Sequence, residues 1–364
     1  MVKISIVVLA SALLVAASAA AADDPGKPLR LIGEAPSAAD PVPKHFIIDA
    51  VVTKGDDPFQ SKIEGWFASY STDPDAPATA SGELEGTCVQ SHCALTASLE
   101  DGKLGLTGDL LGAPGKVDGK FVLAQDGGDA SKSEGQVSFT AFIDTVPGMG
   151  QLAKPNSITS RPLNELLLWN SSQPAFGFEE DEPIGNSERE NLATWQIQNH
   201  RPGNGLVLVG DIELLKTQTE TQRKAAGWTV FGDAKKGWTA GYPAALLPTA
   251  SVVGAEHRFA SADGKATLVI AIDAPISGDD FDALVEKLTA DTPGHDHEGY
   301  TRVNSDMEIS FVQGGQVHSS IYHRRDGGLA RLIFTYPEGA ETYANIDAIV
   351  GRSLHVTDDL KAGS

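Results

Sequence analysis

Apolar and polar residues alternate with a period of two along most of the chain, and the period lengthens to three or four in one stretch near the middle. The runs Phe46 to Thr53, Lys62 to Ser71, Gly82 to Val89, Ala94 to Leu99, Gly119 to Ala124 and Gln136 to Ile143 are rich in β-branched, aromatic or alternating apolar residues. Turn clusters such as Asp73-Pro74-Asp75-Ala76-Pro77 and Asp126-Gly127-Gly128 separate them. Side chains of such runs point alternately to two faces of a strand, and short strands at this spacing predict a small antiparallel β sandwich or barrel over residues 46–157.

From about Leu163 to Leu215 the apolar positions fall three or four apart. Leu163, Leu166, Leu167 and Trp169 predict a short helix. Leu192 and Trp195 mark another that starts near Ser187, with Glu190 three residues on completing a capping box. Period two then returns. Trp228 to Phe231, Trp238 to Tyr242, His257 to Ser261, Ala266 to Ile272, Glu308 to Gln313, Val317 to Arg324 and Leu329 to Tyr336 read as strands, several joined by Gly-rich turns. Two helices accompany them. One is capped by Asp279 or Asp280 and turns Phe281, Leu284, Val285 and Leu288 to one face; the other runs from Glu341 to about Val350.

Met1 to Ala22 holds Lys3, an apolar run from Ile4 to Ala17 and a small-residue end, which reads as a secretory signal peptide. The run is near the short limit for spanning ~30 Å of hydrocarbon, and no basic stop-transfer flank follows it. The mature chain is therefore expected in the bacterial periplasm or secreted, with no transmembrane span. Residues 23–45, rich in Pro, Ala and Asp, read as a flexible leader. The net charge of -21, from 28 Lys+Arg and 49 Asp+Glu, repels nucleic acid and removes it from the expected partners. Cys88 and Cys93 are the only cysteines, and an oxidising compartment favours a disulfide between them. The alternatives are free thiols, or a metal pair with His92 that leaves a tetrahedral site short of ligands.

Asp181, Gly185, Arg189, Leu192, Trp195, Gln196, Gly205 and Leu215 carry a resemblance. At their spacing, residues 163–215 resemble the small three-helix peptidoglycan-binding domain of bacterial cell-wall proteins, although Glu182, Glu188, Asn191, His200 and Asn204 depart from that family's letters. The resemblance implies a three-helix unit over 158–218 and a glycan ligand. Trp195, Gln196 and Arg201 are the ligand-binding candidates, with an aromatic face and a guanidinium for sugar rings and peptide carboxylates. A core role for Trp195 is the competing reading. Tyr242-Pro243, Phe259 before the Ser261-Ala262-Asp263-Gly264 turn, and the apolar strand and helix that follow make residues 227–356 similar to PsbP-like exported domains. That similarity implies binding or assembly without chemistry. The expected architecture is thus α+β and multidomain: an N-terminal β sandwich or barrel, a three-helix unit, a C-terminal α+β domain with an antiparallel sheet over 224–356, and a tail, 357–364.

Reactive motifs are sparse. His295-Asp296-His297-Glu298 with Asp291 has metal-like density, but its Thr292-Pro293-Gly294 flank reads as an exposed loop, so no metal is assigned. Gly148 to Ala153 fits a dinucleotide fingerprint, but Lys154-Pro155 stands where a helix should begin, and no cofactor is assigned. Gly227-Trp228-Thr229 and Gly237-Trp238-Thr239 repeat ten residues apart and offer either core rings or a sugar platform. No nucleophile elbow, Ser-x-x-Lys pair or His-Glu-x-x-His helix occurs. The expectation is a non-catalytic cell-envelope protein that binds cell-wall glycan or an envelope protein. A cell-wall hydrolase with a carboxylate or metal site, and a periplasmic assembly factor, are the alternatives.

Overall fold

A computed structural model of the chain describes residues 26–35, 44–70, 80–100, 102–111, 116–124, 133–141, 143–154, 157–170, 183–290, 295–358 and 360. They form an α+β protein in which strands predominate. Eight antiparallel strands close into a barrel: β1 (Lys27–Glu34), β2 (His45–Lys54), β3 (Gln60–Ser69), β4 (Ser81–Val89), β5 (His92–Leu99), β6 (Gly102–Asp109), β7 (Lys116–Ala124) and β8 (Ser133–Ala141). β1 pairs with both β2 and β8 and so closes the wall. Leu31, Phe46, Ile48, Ile63, Phe67, Leu84, Leu104, Leu106 and Phe139 fill the interior, as side chains fill other barrels of this strand number. Glu64, Glu83, Glu85 and Lys103 alternate with them on the exposed outside, the reverse of a lipid-facing wall. Cys88 and Cys93 oppose each other in the β4–β5 register, and their disulfide lies inside the barrel.

Two of these strands depart from the expectation. Residues 27–34 are not leader but strand: Leu29 and Leu31 point inward while Arg30 and Ile32 point out. The Pro, Ala and Asp content around them obscures a four-residue alternation. β6 carries only Leu104 and Leu106 among three glycines, too little apolar signal to stand out.

The outer face of β2 and β3 is apolar where it is covered. Ile47, Trp66, Ala68 and Tyr70 pack with Val146, Leu152, Leu206 and Leu208. That docks the small hairpin of β9 (Thr145–Val146) and β10 (Gly150–Gln151), and with it the helical unit, onto the barrel. The fingerprint-like Gly148 to Ala153 stretch is this hairpin and its exit. Asp49 faces outward in the same seam and pairs with Arg30 Nε at 3.0 Å and Arg189 Nη2 at 2.9 Å.

The helices are α1 (Ser160–Asn170), α2 (Asn186–Gln198) and α3 (Val209–Ala226), packed around Leu163, Leu167, Leu192, Trp195, Val207 and Leu215. The N-cap of α2 is Gly185, not Ser187, because Glu188 stands three residues after it and its Oε2 accepts the Gly185 N–H at 2.8 Å. The expected boundary at 218–224 falls inside α3, which runs unbroken to Gly227; that glycine takes the left-handed conformation (φ 60) that ends the helix and turns the chain into the next strand.

β11 (Trp228–Asp233) and β12 (Trp238–Pro243) form a three-stranded sheet with β20 (His355–Val356). A seven-stranded antiparallel sheet contains β13 (Thr249–Val253), β14 (Glu256–Ala260), β15 (Thr267–Asp273), β16 (His295–Val303), β17 (Asp306–Gln313), β18 (Gln316–Arg325) and β19 (Gly328–Pro337). Its order is β13-β14-β15-β19-β18-β17-β16. α4 (Gly278–Thr289) covers one face with Phe281 and Val285 on Met307, Ile309 and Tyr322. α5 (Glu341–Arg352) covers the other, where Leu168 and Trp169 of α1 join the core. Ser277, not Asp279 or Asp280, caps α4: its Oγ accepts from Asp280 N at 3.0 Å. β16 replaces the expected loop at 295–298. No helix among the described residues is long and apolar enough to cross a membrane.

Candidate functional site

The three residues marked by the peptidoglycan-binding resemblance meet in the helical unit, mostly under its surface. Trp195 is 0% exposed, and its indole N–H donates to Gln218 Oε1 at 3.2 Å. Gln196 is also fully buried. Its Nε2 donates to Leu206 O and Asp211 Oδ2 at 3.1 and 2.7 Å, and its Oε1 accepts from the Asn204 and Gly205 N–H groups at 3.1 and 3.0 Å. These bonds fasten the loop before α3 to α2. Arg201 alone reaches solvent, with its side chain 33% exposed, and its guanidinium pairs with the buried Asp211. Burial pushes the Asp211 carboxyl up, against the pull of Gln196 and Arg201. Asp181, the first residue of the family frame, and Asp291 lie outside the described residues, as do the side chains of His295 and His297. Among the described residues no group of three or more His, Cys, Asp or Glu is placed to hold a metal.

The two repeated tryptophans do not face each other. Trp228 pairs with Pro243 at one end of the β11–β12 ladder and Trp238 with Asp233 at the other. Trp238 packs against Phe231 in the core, whereas Trp228 meets Trp169 edge-on at 5.1 Å and lines a cleft.

That cleft, about 980 Å³, opens between α1, the end of α5 with β20, and the ends of β17 and β18. Arg161, Arg223, Arg324, Arg325 and Arg352 line it together with His323 and His355. Two of the arginines are neutralised locally. Arg223 pairs with Glu165 while lying over the Trp169 ring at 5.5 Å, and Arg325 makes a two-pronged contact with Asp306 at 2.5 and 3.2 Å. The other three form no ion pair with a carboxylate among the described residues. Arg161 Nη2 donates to His355 Nδ1 at 2.7 Å, Arg324 Nη2 donates to Ser305 Oγ at 3.2 Å, and the Arg352 side chain forms no hydrogen bond among the described residues. Partial desolvation, then Arg161, holds the exposed His355 below its ordinary value, which favours the neutral ring that can accept from Arg161.

Two carboxyls share the floor, two positions apart on β17 and so on one face. Asp306 takes His323 Nδ1 at 3.0 Å in addition to Arg325. Burial raises its pKa, but His323 and Arg325 together outweigh burial and hold it low. Glu308 has no such partners: burial pushes it up, and the more distant Arg352 and His323 only partly oppose this. A second recess, about 470 Å³ and mostly apolar, lies behind Leu168, Trp169 and Ile349 between α3 and α5.

Sequence reading marks none of the cleft arginines. The signal available in the sequence is the Arg324-Arg325 doublet at a strand end in an acidic chain.

No family model matches the chain, and no curated protein matches it. Among solved structures, the solution structure of cyanobacterial PsbP (CyanoP) from Synechocystis sp. PCC 6803 is similar at 15% identity and a TM-score of 0.28, covering 36% of this chain and 92% of that one.

Proposed function

We propose that this chain is an exported, non-catalytic cell-envelope binding protein that holds an anionic envelope component in the arginine-lined cleft. The observation that carries the reading is that Arg161, Arg324 and Arg352, among five arginines that share the cavity with five carboxylates, form no ion pair with a carboxylate among the described residues of a chain whose net charge is -21. Guanidinium groups left unneutralised in a concave, partly desolvated site bind carboxylates or phosphates strongly. The buried disulfide fits an oxidising compartment. Peptidoglycan is the first component to test, because its peptide stems carry carboxylates and the 163–215 resemblance points the same way.

A cell-wall hydrolase is the second reading, favoured by one observation. Asp306 and Glu308 are neighbours in one cleft whose surroundings push their pKa values in opposite directions, the pattern that separates a base from an acid in glycoside hydrolysis. Against it, Arg325 and His323 engage both Asp306 oxygens, which leaves that carboxylate little freedom to attack or activate water.

The test is co-sedimentation of the mature chain with purified insoluble peptidoglycan at moderate salt. Native protein is retained, and Arg161→Gln/Arg352→Gln loses about tenfold or more in affinity for each charged contact removed. A folded native chain that stays in the supernatant rejects peptidoglycan as the ligand. Release of soluble glycan in the same tube favours the hydrolase.

A further inference from the structure

α5 approaches β18 closely at one point. A Cβ added at Gly351 would stand 2.9 Å from Ile321 Cδ1, the far end of a flexible side chain, which shows how near the sheet the helix end lies. Ile321 is the register partner of Glu308 across the β17–β18 ladder. The contact therefore brings the next residue, Arg352, toward Glu308, and both line the cleft.

Neither side chain is otherwise engaged: among the described residues Glu308 and Arg352 form no hydrogen bond or ion pair, although Arg352 acts electrostatically on Glu308. The groups around Glu308 come from every neighbouring element. β17 supplies Asp306, already committed to Arg325 and His323; β18 supplies His323; β16 supplies the uncharged Thr301 and Val303. The same cavity is lined by Arg161 and Glu165 of α1, Arg223 of α3, Arg324 of β18, Asp326 in the turn after β18, His355 of β20 and Asp358 beyond it. Among the groups nearest it, Glu308 is thus a half-buried carboxyl without a committed partner, beside a guanidinium also without one.

We propose that Glu308 and Arg352 form the subsite for one carboxylate of the bound ligand, Arg352 supplying the charge and the Glu308 carboxyl donating a hydrogen bond to the same group. The proposal rests on the anion-binding reading of the cleft and names the group recognised within it. Burial favours the protonated Glu308 that such a donor requires. A carboxylate brought between the two would also favour that proton, because an ionised Glu308 would repel it. Ionisation at higher pH turns the donor into a repelling charge, so the ligand is released as pH rises through the raised Glu308 value.

The experiment titrates the mature chain calorimetrically with soluble disaccharide-peptides cut from purified peptidoglycan, at about pH 5 and about pH 8, above the ordinary range of the probe's own carboxylates. Native protein binds more weakly at the higher pH, by roughly tenfold. Glu308→Gln, isosteric and always a donor, binds at both pH values with the affinity that the native chain shows in acid. Arg352→Gln loses binding at both, as does native protein offered carboxyl-amidated fragments. Native affinity independent of pH, or a Glu308→Gln variant that keeps the native slope because His323 or His355 carries it, overturns the subsite and leaves the anion-binding reading standing. Absence of native binding at both pH values defeats the subsite together with peptidoglycan as the ligand. Melting curves of each variant confirm that a lost signal is not a lost fold.

Discussion

Replacing Asp49 with Asn removes the single anion between two buried cations in the seam that joins barrel and helices. Arg30 and Arg189 are 7% and 9% exposed. Without Asp49 each keeps one neutral acceptor, Ala153 O for Arg30 and Gly205 O at 3.4 Å for Arg189. The next carboxylate, Asp144, is 3.7 Å from Arg30 but 81% exposed, so solvent screens it. Breaking a buried ion pair from one side costs about 3–5 kcal/mol. Asn still accepts one hydrogen bond, and the retained acceptors blunt the loss, so Asp49→Asn is expected to destabilise the chain by about 3 kcal/mol at neutral pH. The assay is urea unfolding followed by tryptophan fluorescence, since Trp66 and Trp195 lie on the two sides of the seam. The sign of the pH dependence follows from the cause. Burial raises the Asp49 pKa, but Arg189 and Arg30 outweigh burial and hold it below the ordinary value. The stability it contributes is therefore complete above about pH 4, the unfolded value, and is lost as pH falls through the lower folded value. Native and variant curves must converge in acid. An unchanged midpoint at neutral pH, or a gap that persists undiminished in acid, refutes the reasoning.

Other parts of the molecule make equally definite forecasts. Cys88→Ala/Cys93→Ala should lower stability by about 2 kcal/mol, since the closed loop is short; mass spectrometry of the native chain should show a two-hydrogen deficit on that peptide, and two freely alkylated thiols would contradict it. Trp195→Ala should cost about 3–5 kcal/mol by emptying the helical core, read as a lower denaturation midpoint, and a stable variant would return Trp195 to the ligand-facing role. Arg201→Ala leaves the buried Asp211 with Gln196 alone and should cost about 1–3 kcal/mol at neutral pH. Because burial already raises Asp211, its ionised form disfavours folding as pH rises through that value, so the Arg201→Ala deficit should shrink in acid; equal deficits at both ends would count against the pairing.

Much of the fold was legible because it is local. The strands of the barrel and of the large sheet follow alternations such as Phe46-Ile48-Ala50 and Val317-Ser319-Ile321, and the helices follow Leu163-Leu167 and Phe281-Val285. What was missed depends on partners distant in sequence. β1 and β6 have weak patterns of their own and exist because β2, β8, β5 and β7 offer edges to pair with. β13 is exposed at all five positions, so it has no buried face to betray it. The cleft is the extreme case. Arg161 and His355, bonded in its wall, stand 194 residues apart, and no spacing rule links Glu308 to Arg352, which come to line one cleft only because α5 folds back over the sheet. The helical spacing of Leu192, Trp195, Gln196 and Leu215 was readable for the opposite reason: they are the packing and loop-fastening residues of one compact unit, so their spacing reports how the unit is built more than what it touches.

Hydrogen–deuterium exchange of the mature chain, saturated with soluble peptidoglycan fragments and compared with the free chain, tests the central claim most directly. The account predicts new protection where the cleft is built, in peptides covering 161–169, 303–308, 321–326 and 349–356, with the barrel unchanged. Protection confined to the loop around Arg201, or to the barrel wall, or absent under saturating ligand, would contradict it.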